Sequence, residues 1–312
     1  RTLPLLAAIL AAAACEAPPT DLGSGKADVV VHGILHAGSD TAAVLLTSAP
    51  YARVDWNANL GLDRLRGAQV RILDGARTVP LPEAPAGFPD CLREPEMELN
   101  GRVPPAREGC YTARLPAAIR SGARYELRVE LPGGRSLTGA ATVPEPPTIL
   151  APAERARVPA RGRLDADSSF VPDSLLVGIA RIPVRWRQVP GMGYDVNLQV
   201  AAAFRNGARL RDVRCLTDPA HGFNPRALRA DSLLFVLQYV NCYAPGVRRP
   251  WDSVHVRVRV TAYDSVYARH VQEVFNRQSV RFDRAAAGVE GGLGVFAAAA
   301  TAEREITLVA GN

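Results

Sequence analysis

At 312 residues, with 47% hydrophobic and 22% charged side chains, the chain has a globular composition and room for two domains with cores of their own. Its formal net charge of +6 comes almost wholly from arginine, Lys26 being the single lysine. The arginines are scattered among Asp and Glu, which speaks for a solvated surface and against nucleic acid as a partner.

Residues 1–14 carry one charge, at Arg1, and then an apolar run built on Leu3, Leu5, Leu6, Ile9 and Leu10 that closes on alanines. That is the layout of a secretory signal peptide. The run is shorter than the roughly 20 apolar residues that cross a bilayer, and Glu16, Pro18 and Pro19 end it at once. Because the first residue is Arg1 rather than Met, a little of the basic leading region is expected to precede it. The small residues Ala12, Ala13 and Ala14 followed by Cys15 resemble the lipobox of bacterial lipoproteins, although Ala12 stands where Leu is usual. The resemblance implies cleavage before Cys15, lipidation of its thiol and attachment to a membrane. Glu16 is not the Asp that often retains lipoproteins in the inner membrane, so the expected address is the outer membrane, on its periplasmic or cell-surface face. Residues 15–27 read as a lipid-anchored flexible tether rich in Pro, Gly, Ser and Thr.

From Asp28 onward short strands bounded by turn residues dominate. Strands are expected over residues 29–35, 41–47, 68–73, 78–81, 110–115, 124–131 and 136–143, with Asp74-Gly75 and Pro132-Gly133-Gly134 as hairpin turns. This rhythm predicts an antiparallel β-sandwich of immunoglobulin or fibronectin type over residues 28–146. Pro144, Pro146 and Pro147 mark a stiff boundary. A second β-rich domain is expected over residues 147–312, with strands at 182–186, 194–204, 232–243 and 253–263. A helix capped by Asp264 or Ser265 runs to about residue 277, and Tyr267, Val271, Val274 and Phe275 form its apolar stripe. Residues 288–294 are glycine-rich, and an edge strand is expected at 305–309. The fold class is therefore mainly β, two β-rich domains with one short helix.

Export assigns the cysteines. With Cys15 lipidated, Cys91, Cys110, Cys215 and Cys242 remain, and an oxidising compartment favours disulfides. Four cysteines allow three pairings; Cys91–Cys110 and Cys215–Cys242 are preferred because each lies within one expected domain. Either bridge would stabilise by roughly 3 kcal/mol on chain-entropy grounds.

Several features together resemble a known bacterial family. They are the lipobox, the opening strand from Val29 to Leu35, Gly67-Ala-Gln-Val-Arg-Ile-Leu73, Cys110-Tyr111, and the hairpin from Tyr125 into Thr142-Val-Pro-Glu-Pro-Pro147. Near the end come Ala262-Tyr-Asp-Ser-Val-Tyr267 and Gly288-Val-Glu-Gly-Gly-Leu-Gly-Val-Phe296. Their order is similar to that in a lipoprotein family known only as domain of unknown function 4249. The resemblance implies an outer-membrane lipoprotein, with a TonB-dependent receptor as a possible partner, and carries over no catalytic position.

No catalytic constellation stands out. There is no nucleophile elbow and no CxxC zinc pattern. His32 and His36 are four apart but on a strand and its turn, and read as surface or half-buried residues. The stretch from Asp165 begins like a calcium loop yet has Phe170 and Leu176 where a Gly and an acid are needed. The glycines from Gly288 to Gly294 lack the Lys and Ser or Thr of a phosphate loop and read as positions of positive φ or close backbone approach. Trp186 reads as core, whereas Trp251, after Arg248-Arg249-Pro250, is the best candidate for an exposed ligand contact. The expectation is a non-enzymatic accessory or ligand-capturing lipoprotein without cofactor or metal. A carbohydrate-binding or adhesion module is the first alternative, and a hydrolase with a dispersed active site the second.

Overall fold

The structure, a computed structural model, describes residues 28–49, 63–75, 77–84, 109–163, 177–205, 207–209, 214–217, 231–237, 240–243, 253–276 and 288–310. Two hydrophobic cores organise them, and one long strand belongs to both.

The first core lies between two sheets. One face is built from β1 (Asp28–His36), β2 (Thr41–Ala49) and β6 (Cys110–Arg114), with the two-residue β3 (Asp63–Arg64) beside β6 on the same edge of β2. The opposing sheet contains β4 (Gln69–Asp74), β5 (Arg77–Leu81), β7 (Arg124–Glu130) and β8 (Ser136–Thr142), edged by β18 (Val289–Glu290), in the order β18-β8-β7-β4-β5. Alternation drives this arrangement, since successive side chains in a strand point to opposite faces. In β7, Tyr125, Leu127 and Val129 are buried while Arg124, Arg128 and Glu130 are exposed. Val31, Leu35, Val44 and Leu46 meet them from the other sheet.

The strand completing that first face comes from the far end of the chain. β19 (Leu293–Ala310) pairs in parallel with β1, from Val30↔Leu293 to His36↔Ala299. It then pairs antiparallel with β17 (Ser253–Tyr263), from Tyr263↔Ala299 to Ser253↔Val309. Phe296 and Ala298 belong to the first core, Ile306 and Leu308 to the second. Residues 305–309, expected as an edge strand, are thus interior: β17 lies on one side, and β10 (Arg157–Arg163) pairs in parallel on the other. The first sandwich is antiparallel apart from the β1–β19 pair, and two strands from the segment assigned by sequence to the second domain complete it.

The second core packs β12 (Gly193–Arg205), β17 and the end of β19 against β11 (Val177–Trp186) and β9 (Ile149–Ala151). β11 pairs with β10 through its first residues and then with β15 (Ser232–Leu237) and β9. The single strand expected over residues 232–243 is instead two strands in different sheets. β15 joins β11, whereas β16 (Val240–Tyr243) pairs with β14 (Arg214–Thr217). The two-residue β13 (Ala208–Arg209) closes a turn on the end of β12. β17 is found over the expected residues, with Val254, Val256, Val258, Val260 and Ala262 buried. One helix follows it, α1 (Ser265–Asn276). Among the described residues no helix is long and apolar enough to cross a membrane.

Both sandwiches use the same tyrosine device. Tyr125, the second residue of β7, accepts a hydrogen bond from the Arg120 N–H at 3.1 Å; Tyr194, the second residue of β12, accepts one from Val189 at 2.6 Å. Each buried ring holds the turn five residues upstream, in the manner of the tyrosine corner of immunoglobulin-like folds. Tyr111 works similarly: its hydroxyl donates to the Leu65 carbonyl at 2.9 Å and accepts from the Ala68 N–H at 3.0 Å.

The glycine-rich segment carries the chain from one sheet to the other, between β18 and β19. Gly294 has φ +94°, and a side chain there would run into the carbonyl oxygen of Val31 on β1. Gly291 has φ +80° and lies directly against the Ser136 carbonyl. Its own carbonyl accepts a hydrogen bond from Arg135 Nε at 3.1 Å. Positive φ and close backbone approach, the reading made from sequence, are both present here.

Candidate functional site

Of the residues singled out from sequence, Cys15, Cys91 and Trp251 lie outside the described residues, as does the stretch 165–176. Cys110 opens β6 and is buried. Cys215 and Cys242 face each other as Cα partners in the β14–β16 pair. Trp186 is core, at 1% exposure, with its ring 5.7 Å from that of Tyr194. His32 and His36 both belong to β1 and, four residues apart in a strand, project from one face. Among the described residues no group of three metal-ligating side chains comes together.

That outward face is where polar chemistry concentrates. On β1 and the first half of β19 it carries His32, Val295, Ala297 and Ala299, the last three fully buried although they point away from the first core. Helix α1 packs on β19, where the alanines leave room for its close approach. Asp264 fixes its start. Only 3% exposed, its carboxylate accepts from the Tyr267 N–H at 2.9 Å, as an N-cap does, and from the Ala298 N–H of β19 at 3.0 Å. Burial pushes its pKa up to about 6, against the lowering effect of these backbone donors and of those from Val266 and Thr142. The cap was legible in sequence. The second bond, to a strand 34 residues further on, was not.

His270 on α1 and His32 on β1 lie close enough to feel one another's charge. Burial, and secondarily His270, depresses the His32 pKa to about 4, and burial lowers that of His270. Both rings are therefore neutral at physiological pH. Next to them Tyr263 and Tyr267 stack with centroids 4.4 Å apart, and His270 lies 6.4 Å from Tyr267.

Further along, the same face crosses β12, β17 and β19 as a ladder of polar rungs. The register sets Asp195, Thr261 and Thr301 side by side, then Asn197, Arg259 and Glu303, then Gln199, Arg257 and Glu305. Thr261 and Thr301 share a hydroxyl–hydroxyl bond of 3.0 Å. Glu303 bridges two arginines, with Oε1 2.9 Å from Arg259 Nε and Oε2 3.3 Å from Arg257 Nε. Beyond, Phe204 and His255 pack at 4.5 Å. Alternation in β17 marked one wet face in the sequence; pairing with β12 and β19 makes that face a two-dimensional array.

Comparison with protein-family models matches residues 18–178 to the family described as Domain of unknown function (DUF4249). The match takes in more than half of the 312-residue chain. A search of curated proteins returned no match.

Proposed function

The chain belongs to the DUF4249 family, and from that premise we propose that it is a lipid-anchored outer-membrane accessory protein. In this reading it captures or presents a ligand in partnership with a TonB-dependent transporter, and it acts by binding rather than by catalysis. The observation that carries it is β19. This one strand of 18 residues runs through both cores, a length of about 60 Å at strand rise. Its parallel pairing with β1 starts at Val30↔Leu293, close to the first residue of β1, and both strands run in the same direction from there. The result is a stiff stem with the second sandwich at its far end, an architecture suited to presentation.

Two disulfides belong to the same proposal. Cys110 is disulfide-bonded, which supports Cys91–Cys110, and the Cα register of Cys215 with Cys242 supports the other pair. An oxidising envelope compartment is where such bridges persist.

The test is a pull-down of the lipidated full-length protein from envelope extracts, with Cys15→Ala as the comparison. A TonB-dependent receptor should co-purify with the native protein, and the variant should leave the membrane fraction. Failure to recover any outer-membrane transporter across replicates would overturn the partnership. An unchanged membrane fraction for Cys15→Ala would overturn the anchor.

A further inference from the structure

We propose that β1 and β19, the first and last strands of the fold, form a mechanical clamp that keeps the protein folded while it is pulled along its tether. The use of such a clamp rests on the anchored-presentation reading above; its existence rests on strand order and direction.

The two strands lie side by side in parallel, paired at seven positions from Val30↔Leu293 to His36↔Ala299. Direction decides what a load does to such a pair. The residues ahead of Asp28 are joined to the leading end of β1, so a pull through them draws β1 backwards along its own axis. A pull on the far half of β19, or on the residues after Ala310, draws β19 forwards along the same axis. The strands are then sheared past each other. In shear the interstrand hydrogen bonds, evenly spaced in a parallel pair, must all lengthen before any one gives. When a strand is lifted from one end they break in succession, and each carries the load alone. Forced unfolding is governed by the barrier to unfolding, and loading seven pairs together raises the force at which that barrier is crossed.

Both strands are gripped on a second side as well. β2 pairs with β1 at five positions, from Asp28↔Ala49 to His32↔Leu45, and is sheared with it. Val29, Val31 and Leu35 of β1 are buried in the first core, so a slip of one residue would turn all three out of it. No intermediate register is therefore available to ease the strand along. At Gly294 the two backbones are in close contact, since a side chain there would run into the Val31 carbonyl oxygen. The far half of β19 is held by β17 at eleven positions and by β10 at four. A load on the second sandwich is thus passed through β19 to its pair with β1.

The test is single-molecule force spectroscopy on the full chain, in the Cys15→Ala background so that no lipid is attached. In one arrangement the handles are joined to the tether ahead of Asp28 and after Asn312, which shears β1 against β19. In the other, the first handle moves to the β1–β2 turn through Ser39→Cys, a residue whose hydroxyl bonds to the Thr41 backbone within the same turn. That pull lifts β1 from its trailing end at His36, one pair at a time. At the same loading rate, the first rupture should need a higher force in the shearing arrangement than in the lifting one. Overlapping force distributions, or a lower force in shear, would overturn the proposal. Neither arrangement involves a membrane or a transporter, so a failed clamp leaves the transporter partnership standing, and a failed pull-down leaves the clamp standing.

Discussion

Asp264 offers the sharpest test of the physical account, because its two roles have opposite signs. Replacing it with Ala removes the α1 N-cap, worth about 1 kcal/mol, and leaves the buried Ala298 N–H without its acceptor, a further loss of about 1–3 kcal/mol. The same substitution also removes a carboxyl group whose charged form is disfavoured by burial. The folded-state pKa is raised from 3.8 to about 6, so this group contributes stability that is present at low pH and lost as pH rises through 6. Between pH 7 and pH 4 the native protein should gain roughly 2 kcal/mol from this site relative to the variant, by proton linkage. Asp264→Ala is therefore nearly neutral at pH 7, where the relief of burying a charge offsets the lost bonds. At pH 4 the full loss of about 2–4 kcal/mol should appear. Urea unfolding of both proteins at pH 7, 6, 5 and 4 measures this, and contributions from His32 and His270, present in both, cancel in the difference. A gap that stays constant across the series would refute the buried-carboxyl account.

His32 acts in the other direction. Its folded pKa is depressed to about 4, so its stabilising contribution is present above pH 6.5 and lost as pH falls toward 4. His32→Leu should reduce the loss on acidification from pH 7 to pH 5 by about 2 kcal/mol, read from denaturation midpoints; an unaltered acid sensitivity would count against it. Gly294→Ala forces a positive φ on alanine and drives its side chain into the Val31 carbonyl, so the β1–β19 pairing should fail with a loss of at least about 3 kcal/mol, seen as a large fall in Tm. Tyr111→Phe removes two hydrogen bonds to the Leu65–Ala68 turn and should cost about 1–3 kcal/mol; an unchanged unfolding midpoint would show the turn to be held by other contacts.

Alternation within single strands made much of the first sandwich legible. β7 and β17 fell where their two-residue period placed them, because one face of each is buried and the other wet. The helix after Asp264 was equally readable from its cap and apolar stripe. The first half of β19 gave no such signal. Ala297 to Ala300 are buried on both faces, by a sandwich core on one side and the α1 layer on the other, and a run without a polar face has no period to read. The 232–243 segment misled for a related reason: it is continuously apolar at its start, so nothing local shows the chain leaving one sheet for another.

The sequence by itself determined the β class, the glycine positions and the wet face of β17, since each depends on residues a few places apart. Tertiary structure alone decided that β1 should find its parallel partner some 260 residues later, that Asp264 should serve α1 and β19 together, and that three wet strand faces should align into one array. Those outcomes depend on register between distant segments, which is fixed by cores that form only when the whole chain has folded.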